Sequence, residues 1–223
     1  MLYIVSTPIG NLGDITYRAV ETLKEVDIIA CEDTRKSMIL LNHYDIKKPL
    51  ISFHSHSGFT KVDKIISELK NDKNIALISD AGTPGISDPG YVLIKEALLE
   101  GLKIVPIPGV TAFTTALSAS GMQMNHFLYL GFLPVKKGRQ TLFKMLVERK
   151  KTSSETVVIY ESVHRLIKTL KELLSYFGQE HNIVVARELT KKFEEFKRDN
   201  IINIINYFEE NPSKVKGEFV ILF

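Results

Sequence analysis

With 223 residues and 44% hydrophobic content, the chain can bury one sizeable core or two smaller ones. Its 29 Lys and Arg against 26 Asp and Glu leave a net charge of +3, too small to argue for a nucleic-acid partner alone. No apolar stretch reaches bilayer length and the first residues run straight into a strand, which points away from secretion and membrane spanning. The single cysteine, Cys31, permits no internal disulfide and fits a reducing cytoplasm; its apolar surroundings read as a buried small hydrophobe.

The first half alternates two patterns. Strands are predicted at 2–5, 27–31, 49–53, 75–79 and 103–107, with helices between them at about 15–25, 34–44, 58–70, 90–100 and 110–119. Asp14 is the expected N-cap of the first helix. Regular βα alternation without hairpin dipeptides predicts a parallel sheet covered on both faces. Gly121–Asn125 breaks the pattern and reads as a short linker, giving an N-terminal domain over 1–120 and a second over 125–223.

The second half is less regular. Phe127–Phe132, Thr156–Tyr160, Ile183–Ala186 and Gly217–Phe223 read as strands, and Phe193–Lys197 as an edge strand. Helices are expected at 138–150, at Leu166–Phe177 ending near Gly178, and at Ile201–Tyr207. This predicts a mixed α/β domain with some antiparallel pairing. The basic excess lies here: residues 118–223 hold 17 Lys and Arg against 12 acids, residues 1–117 hold 12 against 14. Lys136, Lys137, Arg139, Lys144, Arg149, Lys150 and Lys151 form one cluster, and Lys191, Lys192, Lys197 and Arg198 another. Such clusters can neutralise phosphates, or can simply be a solvated surface.

Three predicted strands of the first half end in loops dense in Gly and Pro: Ser6–Asp14, Ser79–Gly90 and Pro106–Ala112. Glycine lets a main chain approach a ligand closely, and open α/β sheets bind ligands at the carboxyl ends of their strands. None of the three carries the dinucleotide or P-loop spacing.

The motifs TPIGNLGDIT, EDTR at 32–35, SDAGTPGISDPG at 79–90, PIPGVTA at 106–112, SASG at 118–121, GFLP at 131–134, YESVHR at 160–165 and ARELTK at 186–191 keep their order along the chain. Together they resemble a bacterial ribosomal RNA methyltransferase group of the tetrapyrrole methylase superfamily. Two departures stand out: Ser6 where a proline is common, and PGVTA where this group usually has PGPSA. The resemblance implies a two-domain α/β fold with a cofactor in the cleft between its halves. It implies an S-adenosylmethionine-dependent enzyme without a metal, methylating the 2′-oxygen of a cytidine in 16S ribosomal RNA, with the small subunit as partner, and a homodimer.

Carried over residue by residue, the resemblance implies cofactor contacts at Ile9, Thr83, Ile86, Thr111, Ala112, Tyr160 and Ala186. Ile9 and Ile86 also fit plain core packing, and Thr111 a helix cap. Moving a methyl to a hydroxyl calls for alignment and a route for the proton. Asp80, Glu188, Asp33 and Glu161, at or beyond predicted strand ends, are candidate acceptors, with Asp80 and Glu188 preferred. Arg35, Arg165, Arg187 and Lys191 can hold phosphate or lower the pKa of the hydroxyl; Arg35 joins the catalytic set, although an Asp33–Arg35 pair also fits a cap plus a surface charge. His54-Ser55-His56 is too short a pattern for a metal site and reads as a loop reaching toward RNA. Two other readings share the fold: a tetrapyrrole C-methyltransferase, and a non-catalytic ribosome-assembly factor.

Overall fold

The computed structural model describes residues 1–54 and 59–223, with Phe59 described through its main chain only. The chain divides into two compact units, Met1–Thr111 and Ala112–Phe223.

The first unit contains β1 (Leu2–Val5), α1 (Tyr17–Glu25), β2 (Ile28–Cys31), α2 (Thr34–His43), β3 (Leu50–Ser52), α3 (Phe59–Lys70), β4 (Ile75–Ile78), α4 (Tyr91–Leu99) and β5 (Ile104–Ile107). The strands form an all-parallel sheet in the order β3-β2-β4-β1-β5. Strand side chains alternate between faces, and β4 shows the consequence. Ile75 and Leu77 join Val62, Ile65, Leu93 and Ala97 from α3 and α4. Ala76 and Ile78 join Ala19, Leu23 and Leu41 from α1 and α2. An apolar run without alternating polarity therefore becomes the doubly covered centre of the sheet.

The first helix begins later than the sequence suggests, and Asp14 does not cap it. Leu12–Asp14 forms a short 3-10 turn capped by Asn11, which encloses Asp14. Thr16 is the N-cap instead, its Oγ1 accepting from the Ala19 amide at 3.1 Å.

The second unit contains α5 (Ala112–Ser120), β6 (Phe127–Phe132), α6 (Arg139–Thr152), β7 (Thr156–Ser162), α7 (Leu166–Phe177), β8 (Asn182–Arg187), β9 (Glu195–Asn200), α8 (Ile201–Glu210) and β10 (Glu218–Leu222). Its sheet runs β6-β7-β10-β8-β9, with β6 and β7 parallel and the other pairs antiparallel. Leu166, Leu170 and Leu173 of α7 and Ile201, Ile204 and Phe208 of α8 pack against Ile159, Val185 and Ile221 of the sheet. Gly178 ends α7 at φ +85, a conformation other residues reach only with strain. Helix α5 lies against β7, β8 and β10, and so groups with the second unit. Arg198 secures it by donating to the carbonyls of Ala119 and Ser120, where a cation also favours the helix C-terminus. Gly121–Asn125 connects α5 to β6 inside this unit.

Candidate functional site

Strands β4, β1 and β5 are consecutive and parallel, so the three glycine-rich loops leave the sheet side by side. Thr7 and Gly82 exchange both main-chain hydrogen bonds, at 2.9 and 3.0 Å, lacing the first loop to the second. Thr83 Oγ1 lies 2.8 Å from Ser6 Oγ and 2.9 Å from Thr111 Oγ1, linking all three loops. Ser6 thus supplies a hydroxyl that proline lacks. Gly109 sits so close to Ser6 that a Cβ on it would lie 2.8 Å from the serine Cβ. Gly85 has φ +85 and nothing within 4 Å of where a side chain would stand, so its main chain faces open space.

Four of the expected cofactor residues come together here. Thr83 and Thr111 share the hydroxyl chain. Ile86 closes a turn by donating its amide to the Thr83 carbonyl, and Ile9 is buried beside Gly82. The other three lie in the second unit. Ala112 opens α5, and Tyr160 Oη accepts the amide of the next residue, Phe113, at 3.0 Å. Ala186 is wholly buried in β8, between β10 and β9.

A charged cluster stands beyond the ends of β2 and β4. Asp80 Oδ1 accepts the Asp33 amide at 3.0 Å, and Asp80 Oδ2 pairs with Lys36 Nζ at 2.7 Å. Asp33 caps α2, and the exposed Arg35 folds back on it at 2.8 Å; the Arg35 side chain, then the Arg35 amide, holds the Asp33 carboxyl down at about 2. Arg35 is therefore tied to the Asp80 group through Asp33. Glu32 and Lys36 belong to this cluster although the sequence reading passed over both. Burial first, then Asp80, pushes the half-buried Glu32 carboxyl above its ordinary value, while Lys36 and His54 pull the other way.

That shift carries a stability cost with a definite sign. A carboxyl raised on folding loses stability as it ionises, so the cost is absent below the unfolded value and complete above the raised one. Glu32→Gln is expected to raise the melting temperature at pH 7 and to leave it unchanged near pH 3, measured by calorimetry. A lower melting temperature at pH 7 would mean that contacts favour the ionised form.

Residues 1–204 match the family of tetrapyrrole (corrin/porphyrin) methylases. The chain belongs to the tetrapyrrole methylase family. Along its full length it is 46% identical to a Haemophilus influenzae protein named ribosomal RNA small subunit methyltransferase I, covering 77% of that relative. Solved tetrapyrrole methylase folds resemble it at low identity. A diphthine synthase superposes with a TM-score of 0.75 at 14% identity, covering 99% of this chain and 88% of that one. A uroporphyrin-III C-methyltransferase from Thermus thermophilus, complexed with S-adenosyl homocysteine, gives 0.66 at 16% identity, covering 99% and 96%.

Other charged residues of this family member sit in settings the sequence does not reveal. Glu188 Oε1 accepts Lys191 Nζ at 2.8 Å and the Glu218 amide at 3.0 Å; burial opposes ionisation, but these partners bring its carboxyl below the ordinary range. Glu161 is fully enclosed and takes bonds from Arg165, Thr169 and the Ser162 amide, so its oxygens are committed. Arg187 is also buried, donating to the Lys216 and Phe193 carbonyls.

The first basic cluster does not survive as one surface. Arg139 is only 4% exposed and pairs with Glu172, while Arg149 pairs with Glu155 and Lys151 with Glu148. Helical periodicity turned these residues in different directions. Lys136 and Lys137 are exposed and make no ion pair among the described residues. In the second cluster Lys191 bridges Glu188 and Glu218, and Lys197 lies over the Tyr207 ring at 3.8 Å. Cys31 is a buried free thiol, as expected. His54 is exposed, while Ser55 and His56 lie outside the described residues. Among the described residues, no group of three or more His, Cys, Asp or Glu is placed to hold a metal, and no helix is long and apolar enough to cross a membrane.

Proposed function

We propose that this chain transfers a methyl group from S-adenosylmethionine to the ribose 2′-oxygen of a cytidine in 16S RNA of the small ribosomal subunit, in the cytoplasm. The observation carrying it is the 46% identity, along the whole chain, to a protein named for methylating small-subunit ribosomal RNA. The loops fit the donor. Gly85 leaves bare main chain where a ligand can approach, and the Ser6–Thr83–Thr111 hydroxyls fix the loop spacing beforehand.

Ile9, Thr83, Ile86 and Thr111 would hold the donor from the first unit. In the second unit Ala112 and Tyr160 are the proposed contacts, and the buried Ala186 would serve through its main chain. When bound, S-adenosylmethionine supplies an electrophilic methyl group on a sulfonium. The ribose oxygen takes that methyl while the carbon–sulfur electron pair stays with sulfur, which leaves the hydroxyl proton to be removed. Asp80 is the proposed acceptor, held in place by the Asp33 amide and Lys36. Arg35, exposed beside it, is suited to a substrate phosphate. Glu188, whose partners favour its ionised form, is the second proposed acceptor. Lys136 and Lys137 are suited to phosphate contacts that make RNA binding salt-dependent. A homodimer is consistent with the exposed apolar residues Tyr91, Val92, Leu98 and Leu99 of α4, and sedimentation would give one chain or two.

The deciding experiment incubates labelled S-adenosylmethionine with small subunits from a strain lacking the corresponding gene, then identifies the modified nucleoside by mass spectrometry. Ribose-methylated cytidine is expected, and a 2′-deoxy substitution at the target should remove all activity. A methyl on the base, or RNA binding without turnover, would overturn the proposal.

A further inference from the structure

A concave region of the second unit, which shares Glu188 with the residues assigned so far to methyl transfer but is otherwise distinct from them, lies between the turn from β8 to β9 and residues 213–216. It measures about 550 Å³, within the range of small-ligand sites, and its lining includes Arg187, Lys192, Phe193, Lys214 and Lys216. Phe193 is 63% exposed, a large aromatic ring left in water on a polar loop. The Lys192 ammonium sits 5.7 Å from its centroid.

The carboxylates around the hollow are already engaged. Glu195 takes Lys214 at 3.0 Å and the Tyr207 hydroxyl; Glu194 accepts the Thr190 amide at 2.6 Å; Glu188 holds Lys191 and the Glu218 amide. Lys192 and Lys216, both exposed, meet no carboxylate within salt-bridge distance among the described residues. Glu194 has no cation partner among the described residues, so two ammonium groups face one uncompensated carboxylate and the rim is net positive by one charge.

The walls are built in advance. Buried Arg187 donates to the Lys216 carbonyl at 2.9 Å and to the Phe193 carbonyl at 3.3 Å, tying the two sides together. Glu188 and Thr190 hold positive φ of 51° and 65°, which non-glycine residues adopt only when surroundings enforce it. Gly217 packs so tightly on Glu188 that a Cβ there would overlap its carboxylate. A rigid hollow loses little entropy when a flexible strand enters it.

An exposed aromatic ring sharing a hollow with ammonium groups that meet no carboxylate is how single-stranded nucleic acid is gripped: the base lies on the ring and the phosphates meet the cations. We propose that this hollow anchors one nucleotide of single-stranded ribosomal RNA, its base on Phe193 and its flanking phosphates at Lys192 and Lys216. The proposal rests on the RNA substrate argued above.

The test uses the full chain with a single-stranded 16S RNA fragment, titrated by fluorescence anisotropy across a range of salt. Phe193→Ala should weaken binding roughly 10-fold, because one stacked base is lost, and leave the salt slope unchanged. The Lys192→Ala, Lys216→Ala double variant should reduce the log–log salt slope by about 1.4, about 0.7 for each phosphate contact on a single strand. Affinity for S-adenosylmethionine should not change in either variant. If wild-type protein methylates small subunits and both variants match its RNA affinity and slope, this site is overturned while the function stands. Wild-type protein that neither binds nor methylates ribosomal RNA overturns both.

Discussion

Asp80→Asn is expected to lower the methyl-transfer rate by roughly 10²-fold or more, the usual contribution of a positioned acid or base, with S-adenosylmethionine affinity unchanged. The substitution separates charge from position. The asparagine carbonyl can still accept the Asp33 amide that Asp80 Oδ1 now takes at 3.0 Å, so the start of α2 stays anchored. What disappears is the negative charge and the pair with Lys36. Single-turnover rates with saturating donor, beside calorimetric donor titration, read the two effects apart. Lys36→Met supplies a second arm: it keeps the carboxylate but releases Oδ2, and a smaller loss of rate is expected. A full rate in Asp80→Asn would mean that the proton leaves by another route and that Asp80 serves only to hold Asp33.

Glu161→Ala should be strongly destabilising, at about 3–5 kcal/mol, the cost of removing one member of a buried ion pair. Its side chain has no exposed surface. Oε1 takes the Ser162 amide and Arg165 Nε; Oε2 takes the Thr169 hydroxyl and Arg165 Nη2. Thr169 accepts in turn from Arg139, which pairs with Glu172. Arg165 and Arg139 also donate to the Leu133 and Pro134 carbonyls, so the network fixes the loop that carries Lys136 and Lys137. Without the carboxylate, Arg165 is left as a poorly compensated, largely buried cation. At about 2–4 °C per kcal/mol for a chain of this size, the melting temperature should fall by roughly 6–20 °C. Glu161→Gln keeps the shape and loses the charge, and should fall between wild type and alanine. A melting temperature within a degree or two of wild type for Glu161→Ala would show that hydrophobic packing alone secures that loop.

The sequence determined the elements and the kind of sheet each half builds. Strand and helix periodicity, turn residues and apolar runs are local, so β4, α7 and even the edge strand β9 were legible in order. The glycine loops were legible too, because chain composition alone marks where main chain must turn sharply. Their assembly was not. Only the order β3-β2-β4-β1-β5 puts the loops after β4, β1 and β5 side by side, and crossover choice depends on packing between distant segments. The charged groups show the same limit. Asp80 finds the Asp33 amide across 47 residues, which makes partners of Glu32 and Lys36 that spacing could not reveal. Arg139 and Lys137 are near neighbours in the chain, yet one is buried against Glu172 and the other stands in water. A charge's role is set by its burial and its partner, and both come into being only when distant segments pack.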